Sequence, residues 1–436
     1  MKPDTIDKIK NNTRLIILTI TVIIFISGVI NFIRNDNNYP RDLRNRVIGG
    51  RLLKKIISPY TYKWEQGDDD KLLDPFDNTG YPVNQITAAP SFLYIMGLIS
   101  DFSFRNIAKV WLFGNYLILL LIVFFFYKEA LTPGRKLLTI VFGLAFFTSS
   151  IGWITNTDGG QNYLLTPLLF TLMYWTYSSG DLKMKIVCGI IMAAALVLRP
   201  LYLPFIFPFL VSVKNRHVIY SCFSGIILYI LFVCLSGTAS VWKDYFDAMN
   251  VWAHIYTKET TAFSQAVKPF YPKIIEGYSN VSYTTKADEI SSFFARFGSL
   301  TGINLSVRTL FFASVSSISI YLIFFFKKLK INKPSKQDLF LHGFILYQIV
   351  ELLSPAPKHS YYLVELLFPV LLIIARVKVG AVPMILLTTA ILMQAGAFNA
   401  VILRYAVSEY LMLLAMIIIA ISKEEDYRIE LSGKQK

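Results

Sequence analysis

Charge is scarce in this chain. Asp, Glu, Lys and Arg make up 16% of its 436 residues, against roughly 25% in an ordinary soluble protein. With 54% of residues hydrophobic, that scarcity excludes a water-soluble enzyme or binding module. Cysteine is also rare. Cys188, Cys222 and Cys234 lie inside apolar runs with no C-x-x-C spacing, which excludes a disulfide framework and a zinc ribbon and leaves three small apolar side chains. No long polar region is present to fold as a soluble domain, so residues 1–436 read as one membrane-embedded domain. Walker loops, G-x-S-x-G elbows, H-E-x-x-H helices and dinucleotide fingerprints are absent from any suitable context. No internal repeat stands out.

Apolar segments recur along the whole chain. They fall at 15–33, 107–127, 136–153, 162–178, 184–199, 201–213, 217–236, 306–326, 339–353, 360–376, 380–397 and 400–421. This predicts an all-α polytopic membrane protein of about twelve transmembrane helices. Several segments are shorter than the usual ~20 residues, which is tolerable where a helix is tilted, buried in protein or beside a cavity. The first follows Lys2, Lys8, Lys10 and Arg14, as in a secretory signal, but it runs on to Ile33 with no A-x-A site. It reads as an uncleaved helix.

The net charge of +15 does not point to nucleic acid. Lys and Arg cluster in short connectors between apolar runs, not in a patch interleaved with exposed aromatics. The clusters at Lys128 to Lys136, Lys183 with Lys185, Lys214 with Arg216, Lys327 to Lys336 and Arg376 with Lys378 place those connectors and both termini in the cytoplasm. The alternation closes when the segment 84–100 does not cross and is a re-entrant or interfacial arm. Two large loops, about 34–83 and about 237–305, then lie on the outer face.

The first loop holds a helical stripe of Leu43, Val47, Ile48, Leu52, Leu53, Ile56 and Ile57, with Arg44, Arg46, Arg51, Lys54 and Lys55 opposite. An amphipathic helix over 42–57, ended by Ser58-Pro59, is expected to lie in the membrane interface. Its basic face would attract an anionic headgroup. Asp42 at its start is either an N-terminal carboxylate favoured by the helix dipole or a general base at the membrane surface; Asp36 is its neighbouring rival. Asp68, Asp69, Asp70, Asp74 and Asp77 form a solvated charge run or, less simply, a divalent-cation loop without EF-hand spacing.

Further along, TNTDGGQNYLLTPLL marks a helix start on the outer side. Asn156 and Asp158 are expected caps, Gly159 and Gly160 supply a tight turn, and Gln161 and Asn162 enter the membrane facing a cavity or a partner helix. Arg199-Pro200 separates two apolar runs. Its guanidinium either snorkels to water or forks onto a phosphate. In LLSPAPKHSYYLVELLFP, which carries Glu351, Lys358, His359 and Glu365, Lys358 and His359 are candidates for an anion site. Arg404, near the outer end of the last span, is a weaker candidate of the same kind.

The order of these motifs resembles the polyprenyl-phosphate-sugar-dependent glycosyltransferases of the GT-C fold, and within them glycosyltransferase family 87, the bacterial mannosyltransferase-like group. RDLRNRVIGGRLL after the first helix, SPY, a Tyr-Pro near residue 81, GGQNYLLTPLL, ALVLRPLYLPFIFPFL and LLSPAPKHSYYLVELLFP cover nearly the whole chain. Arg199 stands where the family usually has Lys, the G-Q-x-N motif is shortened to Gln161-Asn162, and the Trp before the late His is missing. The resemblance implies a GT-C-like bundle with an outer-face amphipathic helix in a bacterial plasma membrane, and Asp42 as the catalytic base. Arg199, His359 and Lys358 would hold the donor phosphate. Gln161, Asn162, Tyr60 and Arg404 remain cavity or acceptor candidates. It further implies an inverting hexosyltransferase whose donor is a polyprenyl-phosphate sugar, whose acceptor is a glycolipid or glycan, and which requires no metal or other cofactor. The rival readings are a transporter or flippase of lipid-linked sugars, a polysaccharide polymerase or ligase, and a non-catalytic assembly protein.

Overall fold

The computed structural model describes residues 3–34, 40–62, 64–73, 86–177, 181–210, 215–256, 305–331, 334–354, 359–395 and 404–422. Among the described residues every regular element is helical. In chain order they are α1 (Pro3–Arg34), α2 (Arg41–Lys54), α3 (Pro90–Ile99), α4 (Phe104–Glu129), α5 (Pro133–Ile140) and α6 (Ile151–Gly159), with a π-helical stretch, Val141–Phe146, between the last two. There follow α7 (Leu165–Tyr177), α8 (Leu182–Leu198), a 3-10 segment Pro200–Ile206 running into α9 (Phe207–Leu210), α10 (Arg216–Leu235) and α11 (Ala239–Tyr256). The last group is α12 (Val307–Ile331), α13 (Lys336–Leu353), a 3-10 segment Ser360–Leu366 running into α14 (Leu367–Arg376), α15 (Ala381–Gln394) and α16 (Arg404–Ser422).

Four stretches are long and apolar enough to cross a membrane: Asn12–Ile30, Phe104–Glu129, Arg216–Leu235 and Val307–Phe325. Their apolar side chains are widely exposed, as at Leu15, Phe113, Leu228 and Phe324. A soluble protein does not carry that much contiguous apolar surface, so this is a membrane protein. Some of the shorter helices are instead buried in protein. Leu339 to Gln348 of α13 are buried all round, as a helix at the centre of a bundle must be. Phe170 of α7 packs edge-on or stacked against the rings of Tyr202, Phe205, Phe344, Tyr347 and Phe368. Gly343 allows the approach, since a Cβ there would lie 2.7 Å from the Phe205 carbonyl oxygen.

Residues 90–99 form a helix of only ten residues, about 15 Å long, half of a ~30 Å hydrocarbon core. This helix is too short to span that core by itself. It packs on α2 through facing glycines, where a Cβ on Gly50 would lie 2.6 Å from the Gly97 nitrogen. The stripe Leu43, Val47, Ile48 and Leu52 is therefore fully buried against protein, although its period alone suggested a lipid-facing surface. The helix also stops before Ile57. The Ile56 amide donates to the Leu53 carbonyl and the Ile57 amide to the Leu52 carbonyl, the paired bonds of a Schellman cap. Ile56 occupies the left-handed position with φ of 59° and is 96% exposed, so it leaves the apolar face to which the pattern assigned it.

The segment around residue 160 is corrected more sharply. Asn156 and Asp158 cap no helix start; they lie inside α6, which ends at Gly159. Gly160, with φ of 62°, closes that helix in the left-handed conformation, and α7 starts afresh at Leu165. Gln161 and Asn162 sit in the turn between the two.

Contacts group the helix ends into two sets. One holds Glu129 paired with Arg376, the Leu131 amide on the Ala375 carbonyl at 3.3 Å, Tyr177 donating to Asn215 at 2.6 Å, and Lys336 over the Tyr174 ring. The other set surrounds the cavity described next.

Candidate functional site

Asp42 lies in the first turn of α2, behind Pro40. The turn 159–162 is pressed onto this helix start. At Gly160 a Cβ would lie 2.6 Å from the Leu43 Cβ and 2.7 Å from the Pro40 Cβ, and at Gly159 it would lie 3.3 Å from Asp42 Oδ2. Gly160 is needed for this approach, while a side chain at Gly159 would press on the Asp42 carboxylate. The turn delivers Gln161, whose side chain is joined at both ends. Its Nε2 donates to Asp42 Oδ2, and its Oε1 accepts from the Arg46 guanidinium. Arg46 also donates to the Gly160 carbonyl at 3.3 Å. The Gln161 backbone is held as well, its amide on the Asn156 carbonyl at 2.8 Å and its carbonyl accepting from Trp111 Nε1 at 3.3 Å.

Arg199 stands where α8 gives way to the 3-10 segment. Its terminal nitrogens meet Glu365 and Glu351, whose side chains are 1% and 3% exposed. The Tyr347 hydroxyl reaches both carboxylates, lying 2.9 Å from Glu351. Thr166 donates to Glu365 at 3.1 Å and meets the Tyr202 hydroxyl. The rings of Tyr163, Tyr202, Tyr347 and Tyr362 surround the guanidinium with centroids 5.1 to 5.8 Å away. One cation and two carboxylates sum formally to −1. The free phosphate fork expected at Arg199 is thus committed to carboxylates at both terminal nitrogens.

Asp42, Arg46, Gln161 and Arg199 line one cavity of about 480 Å³, with Glu351, Glu365 and Tyr347 behind Arg199 and not among the lining residues. Asp42, Asn45 and Arg46 come from α2, Gln161 to Tyr163 from the turn, Arg199 from the end of α8, and His359, Tyr361 and Tyr362 from the start of the late 3-10 segment. The His359 ring packs on Tyr361 with centroids 5.1 Å apart. Apolar residues line the same cavity: Leu165, Leu169, Leu198, Leu201, Phe246 and Met249. Helix α11, from the second large loop, supplies the last two.

Asp42, Gln161, Asn162, Arg199 and His359 are therefore brought together, although they span more than 300 positions. Tyr60 is not among the lining residues. It is 1% exposed, donates to the Ala88 carbonyl at 2.6 Å, and supports the wall from behind. Burial raises its phenol well above the usual tyrosine range. Lys358 and Asp36 lie outside the described residues, as does the side chain of Arg404, whose backbone begins α16.

In the acidic loop, Asp68 accepts from Tyr62 and from the Glu65 amide, and Asp69 from the Lys71 amide. These bonds hold both carboxyls below their ordinary range and tie a turn together. Asp74 and Asp77 lie outside the described residues. Among the described residues no cluster of His, Cys, Asp or Glu is arranged to hold a metal ion.

Glu351, Glu365 and Tyr347 were passed over as site residues in the sequence. The available signal was two carboxylates inside apolar runs, which rarely occur without a partner or a task. No protein-family model, curated protein or solved structure matches this chain.

Proposed function

We propose that this protein is an integral-membrane glycosyltransferase that moves a hexose from a polyprenyl-phosphate donor to a glycolipid or glycan acceptor. The observation that carries the reading is the mixed lining of the cavity: a carboxylate, two arginines and a histidine together with leucines, Phe246 and Met249. A lipid-linked phosphosugar likewise joins a charged polar head to an apolar chain. Twelve crossings, a GT-C-like arrangement, cytoplasmic termini and an outer-face site belong to this proposal; the segments α5 to α6 and residues 360–376 each supply one crossing from two joined pieces.

In this reaction Asp42 accepts the proton of the acceptor hydroxyl as its oxygen attacks C1 of the donor sugar. The new C1–O bond forms on the face opposite the phosphate, the C1–O bond to phosphate breaks, and polyprenyl phosphate departs with the bonding pair. Arg46, His359 and Lys358 supply positive charge to the leaving group. Arg199 contributes through its fixed charge and remaining N–H donors, since its two terminal nitrogens already bind Glu351 and Glu365. These protein cations do the charge work in place of a metal.

One observation favours a second reading. The buried Arg199–Glu351–Glu365 group is the sort of intramembrane polar cluster found in transporters. Proteoliposomes holding the purified protein and a labelled polyprenyl-phosphate hexose separate the two. Label leaving the polyprenyl phosphate for an acceptor supports transfer. Label that stays on its lipid but changes leaflet supports a flippase and ends the transferase reading.

A further inference from the structure

We infer that Gln161 is the positioning residue of this site: its side chain clamps Oδ2 of Asp42, ties that carboxylate to Arg46, and leaves Oδ1 as the oxygen offered to substrate. The role in transfer rests on Asp42 being the base, whereas the clamp itself does not. A primary amide suits the place because it has a donor and an acceptor on opposite sides of one rigid plane. Here the donor end meets a carboxylate and the acceptor end meets a guanidinium. Asp42 and Arg46 sit one turn apart on α2, yet the contact that unites them runs through a residue over 110 positions away.

Three features show that the clamp is built rather than incidental. Gln161 is 2% exposed, so its amide has no bulk water to exchange for these partners. Its backbone is fixed on both sides by Asn156 and Trp111. Gly160 carries no side chain at the very point where a Cβ would push the turn away from Leu43 and Pro40. A carboxylate with one oxygen immobilised presents the other in one direction, which is what a base acting on a single hydroxyl needs. Polarisation by Arg46 strengthens the amide's hold on the ionised carboxylate.

The test exploits the polarity of the amide. Q161E keeps an acceptor toward Arg46 but puts an oxygen against Asp42. D42N removes the base. Combined, the two substitutions reverse donor and acceptor and rebuild the bond. Unfolding temperatures of the purified protein in nanodiscs should fall for Q161E and recover in D42N/Q161E beyond what adding the single effects allows. Should Q161E fail to give folded protein, recovery of folded yield in the double variant is the same readout. Additive losses, or no recovery, overturn the clamp.

Turnover then tests positioning. Q161E should lose on the order of 100-fold in kcat with little change in KM for a polyprenyl-phosphate hexose, and D42N/Q161E should stay inactive despite its restored stability. An undiminished kcat in Q161E overturns the positioning role. If the double variant regains stability while the unaltered protein transfers no sugar, the clamp stands and the transferase reading falls.

Discussion

At Arg199 one guanidinium meets two carboxylates and four tyrosine rings. A buried group of this kind adds little net stability, because desolvation offsets the attraction, but removing one member leaves the others stranded. Replacing Arg199 by Met should therefore cost about 3–5 kcal/mol of stability. The triple change R199M/E351Q/E365Q should recover much of that loss, as read by thermal unfolding in one lipid environment. Loss of donor binding in an Arg199 variant then speaks to phosphate recognition only where the fold is shown to survive. Asp42 contrasts with this. It lies half-buried at a helix start with a single amide on one oxygen, so its substitution disturbs chemistry more than packing. Sequence reasoning marked both residues but could assign partners to neither. Asp42 and Gln161 are 119 positions apart and Arg199 and Glu365 are 166 apart, and periodicity carries no information on which helix ends meet.

Among elements, α2 and α3 decide where the site stands. Asp42 and Arg46 ride on α2, and α2 is located by the Gly50–Gly97 crossing. Gly50→Ala would set a Cβ 2.6 Å from the Gly97 nitrogen and 2.9 Å from the Met96 carbonyl carbon. Both are backbone atoms that cannot turn aside. The substitution should cost about 1–3 kcal/mol and lower turnover by moving Asp42 relative to the turn 159–162, measured as unfolding temperature and transfer rate on the same preparation. The stripe on α2 was legible, since Leu43, Val47, Ile48, Leu52 and Leu53 recur at helical spacing. What covers it was not, because a period defines a face and leaves its occupant open. The end at Ile56 needed the cap bonds, and a β-branched residue in the left-handed region is too unusual to expect. The turn at Gly160 was misread because Asn156 and Asp158 look like caps of a following helix, while the left-handed glycine actually ends the preceding one.

For the whole molecule, the apolar runs gave the helices, and burial explains two of the runs that fall short of a bilayer. α13 and α14 are enclosed by protein, so they need not satisfy a lipid thickness on their own. The long helices α1, α4, α10 and α12 carry widely exposed apolar side chains, and so does the shorter α15 at Val382 and Ile385. What results is a bundle whose helix ends gather polar groups at one cavity that apolar residues also line. A lipid-linked substrate is the proposal that uses both kinds of lining. The most direct test measures consumption of a labelled polyprenyl-phosphate hexose by the purified protein in nanodiscs with a glycolipid acceptor, beside D42N carrying the same fold. The account predicts transfer by the unaltered protein and a loss of at least about 1,000-fold in D42N, the scale of removing a general base. Transfer at an undiminished rate by D42N, or no transfer by the unaltered protein with any polyprenyl-phosphate hexose, would contradict it.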